Sequence, residues 1–242
     1  MFDIDDTLVD TSRAFEMGIH GLRCEYFPDL PASVEPEMLQ VWYEDSGQQL
    51  SKYIAGEIDL MTQRVNRANE LNTKFGGEPI TVDNYDRWET AFWGTFYNSM
   101  RLHDDVLPLL EILQQKHIPI GIVTNAATNL QVVKLANAGI NAAETFGPAF
   151  VGVDTLGFGK PDPRVFQEAC RLLGVAPEKT VYVGDEPASD ALAAQAAGLK
   201  SVWLTRPEAH LFTEVTDEMS TQLANIPQIH SLAELPRLLG QL

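Results

Sequence analysis

Only two cysteines, Cys24 and Cys170, occur among the 242 residues of this chain. They lie far apart in sequence, with no zinc-ligand spacing and no disulfide framework around them. A cysteine-rich metal module and a disulfide-stapled fold are thereby excluded, and a reducing, cytoplasmic setting is the expectation. Long apolar runs are missing as well: none reaches the roughly 18 residues that cross a bilayer. The N-terminus lacks the basic segment, apolar stretch and small-residue cleavage site of a secretory signal, so no signal peptide is expected. Positive charge is scarce, with 17 Lys and Arg against 34 Asp and Glu and a formal net charge of −17. That balance argues against nucleic acid or an anionic membrane as a partner. It also repels phosphate at long range, so phosphate chemistry on this chain requires positive charge concentrated locally by a metal ion and one or two basic side chains.

What is present is ordinary for a globular protein, at 45% hydrophobic and 21% charged residues. The length suits one large domain, or a core carrying a smaller one. Two textures divide the chain, with no internal repeat in either. From about residue 100 onward, short apolar runs alternate with helical patterns. The runs are 118–123, 149–153, 180–183 and 201–204, each the length of a strand buried on both faces. Between them, Val106, Leu109, Leu110 and Leu113 share one helix face. Val165, Phe166, Ala169, Leu172 and Leu173 share another, with Asp162 placed to cap, Pro163 in the first turn and Gly174 at the end. An Ala-rich stretch from Ala191 to Ala197 stops at Gly198. Strands alternating with helices predict an α/β fold, a parallel sheet layered between helices.

Residues 12–99 read instead as helical and aromatic, with Trp88, Phe92, Trp93 and Phe96 at helical spacing and a break at Gly76-Gly77-Glu78-Pro79. The predicted organisation is an α/β domain of residues 1–11 and 100–242, with an all-helical domain of residues 12–99 inserted after the first strand. That first strand is short: only Met1 and Phe2 precede Asp3, so either the strand is stunted or further residues precede it in the full protein.

Four short elements carry candidate chemistry, each where a predicted parallel strand ends, which is where open α/β sheets bind ligands. The first is Asp3-Ile4-Asp5-Asp6-Thr7. Asp3 and Asp5 are two apart and point to the same side of an extended backbone. Two such carboxylates invite a divalent cation, and one can act as nucleophile while the other moves protons. Alone, this pattern reads more simply as an acidic loop. The second is Thr124-Asn125, whose hydroxyl and amides can hold a phosphate oxygen, or simply end the strand as turn formers. The third is Lys160, a point charge in a loop fixed by glycines and prolines (157–163), where the plain alternative is a solvated lysine. The fourth is Gly184-Asp185-Glu186-Pro187-Ala188-Ser189-Asp190. There Asp190 has a competing reading as a helix N-cap, while Asp185 at a buried strand tip needs a partner.

Together, in this order and with a helical insert after the first, the four elements resemble the haloacid dehalogenase superfamily, in its branch with a helical cap. The resemblance covers essentially the whole chain and is strongest over 2–10, 118–125, 157–166 and 180–198. It implies a Rossmann-like core with a cap domain, and a magnesium-dependent phosphatase acting on a small phosphorylated metabolite. By the same resemblance Asp3 is the nucleophile that becomes an aspartyl-phosphate, and Asp5 is the general acid and base. Mg2+ is expected on the side chains of Asp3 and Asp185 and the backbone carbonyl of Asp5, with Asp190 a direct ligand or a support. Thr124 and Lys160 would hold the phosphoryl oxygens, helped by the amides of Asp6 and Asn125. Lys160 should also help keep Asp3 ionised.

Within the family, the dehalogenases themselves would have tyrosine where this chain has Asp5, which argues against dehalogenation. Phosphonatases use a cap lysine; the cap lysines here are Lys52 and Lys74, and nothing in the sequence marks either as desolvated. Phosphotransferases and mutases share the four elements and stay open as alternatives, as does a non-catalytic binding protein. Hinges are expected at Asp10-Thr11 and near Met100 to His103, letting the cap close over substrate. Trp42, Tyr43 and Tyr97 are candidate pocket residues, though helical aromatic spacing points first to core. Arg64 and Arg67 are candidate leaving-group contacts, with surface solvation the simpler expectation. The five histidines, His20, His103, His117, His210 and His230, sit beside none of the four elements and read as surface or helix-end residues.

Overall fold

The structure, a computed structural model, describes residues 1–207, 209 and 215–240. The chain divides into two compact units, one of Met1–Thr11 with Arg101–Leu242 and the other of Ser12–Met100.

The first unit is built on parallel strands. β1 (Ile122–Val123) pairs with β2 (Phe150–Val151), while β3 (Val181–Gly184), β4 (Lys200–Leu204) and β5 (Gln228–Ile229) pair in that order, all parallel. The N-terminal residues join the two groups. Phe2 bridges Ile122 on one side and Val183 on the other. The Asp3 amide donates to the Val183 carbonyl at 2.9 Å, and the Val123 amide donates to the Phe2 carbonyl at 3.1 Å. Met1 to Asp3 therefore serve as the middle strand of the sheet, held from both sides despite their brevity.

Two strand expectations change. The run 118–123 pairs only at Ile122–Val123, because Pro119 has no N–H to give a ladder and Ile118 is exposed. Gln228–Ile229 forms a strand that apolar patterning did not mark, since Gln228 is exposed and only Ile229 is buried. The helices follow the predicted faces. Val106, Leu109, Leu110 and Leu113 are buried on the helix Val106–Gln115. The helix Pro163–Leu173 buries Val165, Phe166, Ala169 and Cys170. Asp162 accepts from the Arg164 amide at its start, and Gly174 ends it in the left-handed conformation. Each such Val, Leu or Phe contributes roughly 1.5–3 kcal/mol by leaving water. The Ala-rich stretch opens with a wide π-type turn, Pro187–Leu192, before the helix Ala193–Ala196. Among the described residues no helix is long and apolar enough to cross a membrane.

All secondary-structure elements of the second unit are helical among its described residues, with the long ones at Thr11–Tyr26, Leu60–Lys74 and Tyr85–Asn98, the last containing a π turn at Thr90–Gly94. Its core is aromatic. Trp42 lies 4.5 Å from Phe92, ring centre to ring centre, and Trp88 stacks on Phe92 at 4.9 Å. Trp42 is thus core, while Tyr43 and Tyr97 are half-buried. The solvated reading of Arg64 and Arg67 is overturned: both are buried. Arg67 lies over the Trp42 ring and donates to the Trp42 carbonyl; Arg64 lies over Trp93 and pairs with Glu89 at 2.7 Å. A guanidinium is weakly hydrated and stacks on aromatic rings, so this ring-rich interior accepts it. Lys74 is exposed, and Lys52 donates to the Gly47 carbonyl.

Candidate active site

In the first unit, Asp3 follows the middle strand and Asp185 follows β3, so their carboxylates leave neighbouring strand ends together. Asp3, Asp185 and Asp190 bring carboxylate oxygens within 4.8 Å of one another, all three buried. Asp190 reaches this group from the π turn because Gly184 carries no side chain: a Cβ there would collide with the Asp190 carboxyl. Its carboxylate is not a helix cap. One oxygen accepts from the Glu186 amide at 3.0 Å, and the other accepts from Lys160 at 2.5 Å.

Lys160 is the centre of charge. Its side chain is 3% exposed, and its Nζ donates to Asp3 at 2.7 Å, to Asp190 and, at 3.1 Å, to the Tyr182 hydroxyl. Burial pulls its pKa down, but Asp190 and Asp3 more than offset this and push it above the ordinary lysine range. Three donors and three partners saturate it. The Asn125 side chain clasps the lysine's backbone, accepting from its N–H at 2.6 Å and donating to its carbonyl at 3.0 Å. Asn125 is thereby a loop anchor as well as a strand-end residue.

One ammonium does not balance three buried carboxylates. Burial raises the Asp3 carboxyl to about 7, with Lys160 opposing and Asp190 and Asp5 reinforcing. Burial, with Asp190 and Asp3, pushes Asp185 well above the ordinary carboxylate range. Lys160 thus favours the ionised form of Asp3 as expected, but burial outweighs it. Crowded hard oxygen donors short of positive charge are the donor set that suits Mg2+. The residues fit that ion.

Asp5 is turned elsewhere. Its carboxylate accepts from Lys134 at 2.6 Å and Thr11 at 2.7 Å on one oxygen, and from Gln131 at 2.7 Å on the other. Burial pushes its carboxyl up, but Lys134 and the donors from Thr11 and Gln131 more than offset this and hold it below the ordinary range. Its side chain is not among the clustered carboxylates, which leaves only its backbone carbonyl for a metal. Gln131 also donates to the Thr124 hydroxyl oxygen at 2.9 Å, and the Ala126 amide does so at 3.3 Å. With both acceptor positions used, the Thr124 hydroxyl retains its hydrogen to donate.

Two expectations are corrected. The Asp6 amide donates to the Val9 carbonyl at 2.8 Å, inside a tight loop where Asp6 is left-handed, so it is not directed at a phosphate. His103 does sit beside a motif residue: with Asp6 and Asp10 it forms a second group of ligand atoms within 4.8 Å. His20, His117 and His230 are exposed, and His210 lies outside the described residues. The chain leaves this unit at Thr11 and returns at Arg101, and the two passages are tied together. Val9 pairs with Leu102, and Arg101 grips the Asp10 carboxylate at 2.6 Å.

Sequence reasoning missed Gln131, Lys134, Thr11 as an Asp5 ligand, and Tyr182. Gln131 and Lys134 stand at helical spacing shortly after Thr124, which was the available signal. Tyr182 read as an ordinary strand residue.

The fold agrees with the relatives found by comparison. A family model for haloacid dehalogenase-like hydrolases matches residues 1–198, and the chain belongs to that family. Its sequence is 31% identical to the phosphoglycolate phosphatase of Escherichia coli K12 over 84% of this chain and 79% of that one. It is 28% identical to the glyceraldehyde 3-phosphate phosphatase of Methanopyrus kandleri over 85% of this chain and 83% of that one. A solved 2-haloacid dehalogenase from Pseudomonas syringae has a TM-score of 0.60 at 27% identity, covering 99% of this chain and 96% of that one.

Proposed function

We propose that this hydrolase, a phosphatase of phosphate monoesters, works through an aspartyl-phosphate on Asp3 with Mg2+ as cofactor. The observation that carries the reading is the buried group of Asp3, Asp185 and Asp190 centred on Lys160. Asp3 and Asp185, with the carbonyl of Asp5, would hold the metal, which supplies positive charge against the phosphoryl oxygens. An oxygen of Asp3 attacks phosphorus; the bond to the ester oxygen breaks as Asp5 gives that oxygen a proton. Asp5 then takes a proton from the water that attacks the same phosphorus, and the bond to Asp3 breaks. Thr124 donates its hydroxyl hydrogen to a phosphoryl oxygen, and Lys160 supplies fixed charge beside the nucleophile. Asp190 holds Lys160. Asp5, where dehalogenases would have tyrosine, favours phosphoryl transfer over dehalogenation. Residues 12–100 are read as the cap that recognises the leaving group, and the substrate as a small phosphorylated metabolite. Free Cys24 and Cys170 suit a cytoplasmic setting.

The test is hydrolysis of 4-nitrophenyl phosphate and a panel of small metabolite phosphates with magnesium and with EDTA, beside Asp3→Asn. Magnesium-dependent turnover that vanishes in the variant is the expected result. Undiminished turnover in Asp3→Asn would overturn the covalent mechanism. Phosphate appearing on an added sugar phosphate, not in solution, would identify a phosphotransferase.

A further inference from the structure

The support of Asp5 is built from one helix. Thr128–Asn137 starts directly after the Thr124 strand end, and its first turn is pinned to Asp154 through the Thr128 amide at 2.8 Å and hydroxyl at 2.7 Å. Gln131 and Lys134 are three apart on this helix and so share a face. Both are buried, Gln131 completely. Neither is an expected occupant of a helix interior: each brings a polar end that opposes burial unless it is bonded. Both ends converge on Asp5. The Gln131 amide nitrogen spans two groups, 2.7 Å from Asp5 Oδ2 and 2.9 Å from Thr124 Oγ1, while its own oxygen is buried without a hydrogen-bond partner. The opposite amide orientation would set that oxygen against the Asp5 carboxylate. The side chain therefore accepts an unsatisfied oxygen in order to aim its N–H2 at the site, which packing alone does not require.

A carboxylate offers about four lone-pair positions, two on each oxygen. Lys134 and Thr11 fill both on Asp5 Oδ1, and Gln131 fills one on Oδ2. One position remains, on Oδ2, the oxygen that shares Gln131 with the phosphate-facing Thr124. We infer that Gln131 and Lys134 are positioning residues for proton transfer: they fix the Asp5 carboxyl so that Oδ2 is the oxygen that carries the proton to the leaving group and takes it back from water. This rests on the proposed role of Asp5. In the first half-reaction the proton on Oδ2 passes to the ester oxygen as its bond to phosphorus breaks and the bond from Asp3 forms. In the second, a proton of water passes to Oδ2 as the water oxygen bonds to phosphorus and the Asp3 bond breaks.

The experiment compares two esters of similar shape, phenyl phosphate and 2,4-dinitrophenyl phosphate. Phenolate leaves poorly without a proton; dinitrophenolate leaves without one. The readout is kcat/KM, which reports the step that breaks the ester bond, for the parent, Lys134→Met, Lys134→Arg, Gln131→Leu and Asp5→Asn, with magnesium. Positioned proton transfer contributes on the order of a hundred- to ten-thousandfold. Lys134→Met and Gln131→Leu are therefore expected to lose at least about tenfold more on phenyl phosphate than on the dinitrophenyl ester. Lys134→Arg should recover part of the difference. Equal losses on both esters would refute the inference, because a damaged fold or phosphate site penalises both alike. Asp5→Asn separates the two levels. If it discriminates between the esters and the helix variants do not, positioning fails and the acid stands. If Asp5→Asn fails to discriminate, the acid itself is misassigned. Should Lys134→Met fold poorly, Gln131→Leu and Lys134→Arg carry the decision.

Discussion

Removing the Lys160 ammonium is the most informative single perturbation. In Lys160→Met the aliphatic volume is kept and the charge is lost. Asp3, at 2.7 Å, and Asp190, at 2.5 Å, then face each other and Asp185 with no cation in contact. Removing one partner of a buried pair costs about 3–5 kcal/mol, because the other charge is left without compensation. Protonation limits the loss: Asp3 already titrates near 7, and without its lysine it titrates higher, so it takes up a proton at neutral pH. For a chain of this length about 1 kcal/mol moves the melting point by roughly 2–4 °C, which places the variant about 6–20 °C below the parent in EDTA. Saturating magnesium should narrow that gap, since a divalent cation among the same carboxylates replaces the missing charge and binds only the folded state. Turnover should stay low even then, because the charge beside Asp3, the proposed nucleophile, is gone. The measurements are thermal unfolding with EDTA and with a magnesium series, and a rate at each concentration. A variant as stable as the parent in EDTA, with the same response to magnesium, would refute the view that Lys160 compensates a metal-binding carboxylate cluster.

Three further outcomes follow from other parts of the first unit. Asp105 accepts from Arg206 at 2.8 and 3.0 Å, from Ser231 at 2.6 Å and from the Leu232 amide, and although burial pushes its carboxyl up, these partners hold it below the ordinary range. Its stabilisation is therefore complete above the ordinary carboxylate pKa of about 4 and lost as pH falls through the lower folded value; Asp105→Asn should flatten the acid limb of a stability-versus-pH curve, and an unchanged limb would contradict this. Gly184→Ala places a methyl group on the Asp190 carboxyl and should lower stability by about 1–3 kcal/mol by overpacking, with a matching loss of magnesium-induced stabilisation; a variant with parental melting points in EDTA and magnesium would count against that packing. Because the chain carries −17 and its substrate is an anion, kcat/KM should rise as sodium chloride goes from about 10 to 150 mM and screens the repulsion, whereas a fall would indicate a steering positive surface.

How far the sequence spoke depended on whether a residue's task is local. Helix faces such as Val106, Leu109 and Leu113, and caps such as Asp162 and Gly174, follow from spacing alone, and the structure has them as patterned. The parallel core was legible because its strands are apolar runs, but β5 was not, because an edge strand of two residues needs only Ile229 inside. Asp3, Thr124 and Asp185 could be singled out by their places after strands; Lys160, expected at a strand end, follows the short helix Val153–Leu156 and stands out only by its loop of glycines and prolines. Their partners could not. Lys134 lies 129 residues from Asp5 in sequence, and Tyr182 lies 22 from Lys160; nothing in local pattern couples such pairs. Arg64 and Arg67 were misjudged for a related reason. Charge predicts exposure until a neighbour of opposite charge or an aromatic face is known, and Glu89, Trp93 and Trp42 become neighbours only through folding.

The distribution of charge explains how so acidic a chain can handle an anion at all. Its cations are few, yet several are inside: Lys160 beside Asp3 and Lys134 beside Asp5, Arg206 under Asp105, Arg64 and Arg67 in the helical unit. A basic residue spent on the surface would act through water, where a unit charge at 4 Å is worth about 1 kcal/mol. In a buried site the same charge acts in a lower dielectric and is fixed in place before the reaction begins. Lys160 and Lys134 also divide the work, for each serves one carboxylate with a different requirement. In the proposed mechanism Asp3 acts as an anion in a crowded cluster, and its lysine shares the charge of Asp190. In the proposed mechanism Asp5 gains and loses a proton, and its lysine accompanies a side chain that is 33% exposed. The two motif aspartates stand two residues apart in sequence, and their different cations, Lys160 from a loop and Lys134 from a helix, suit the different roles proposed for them.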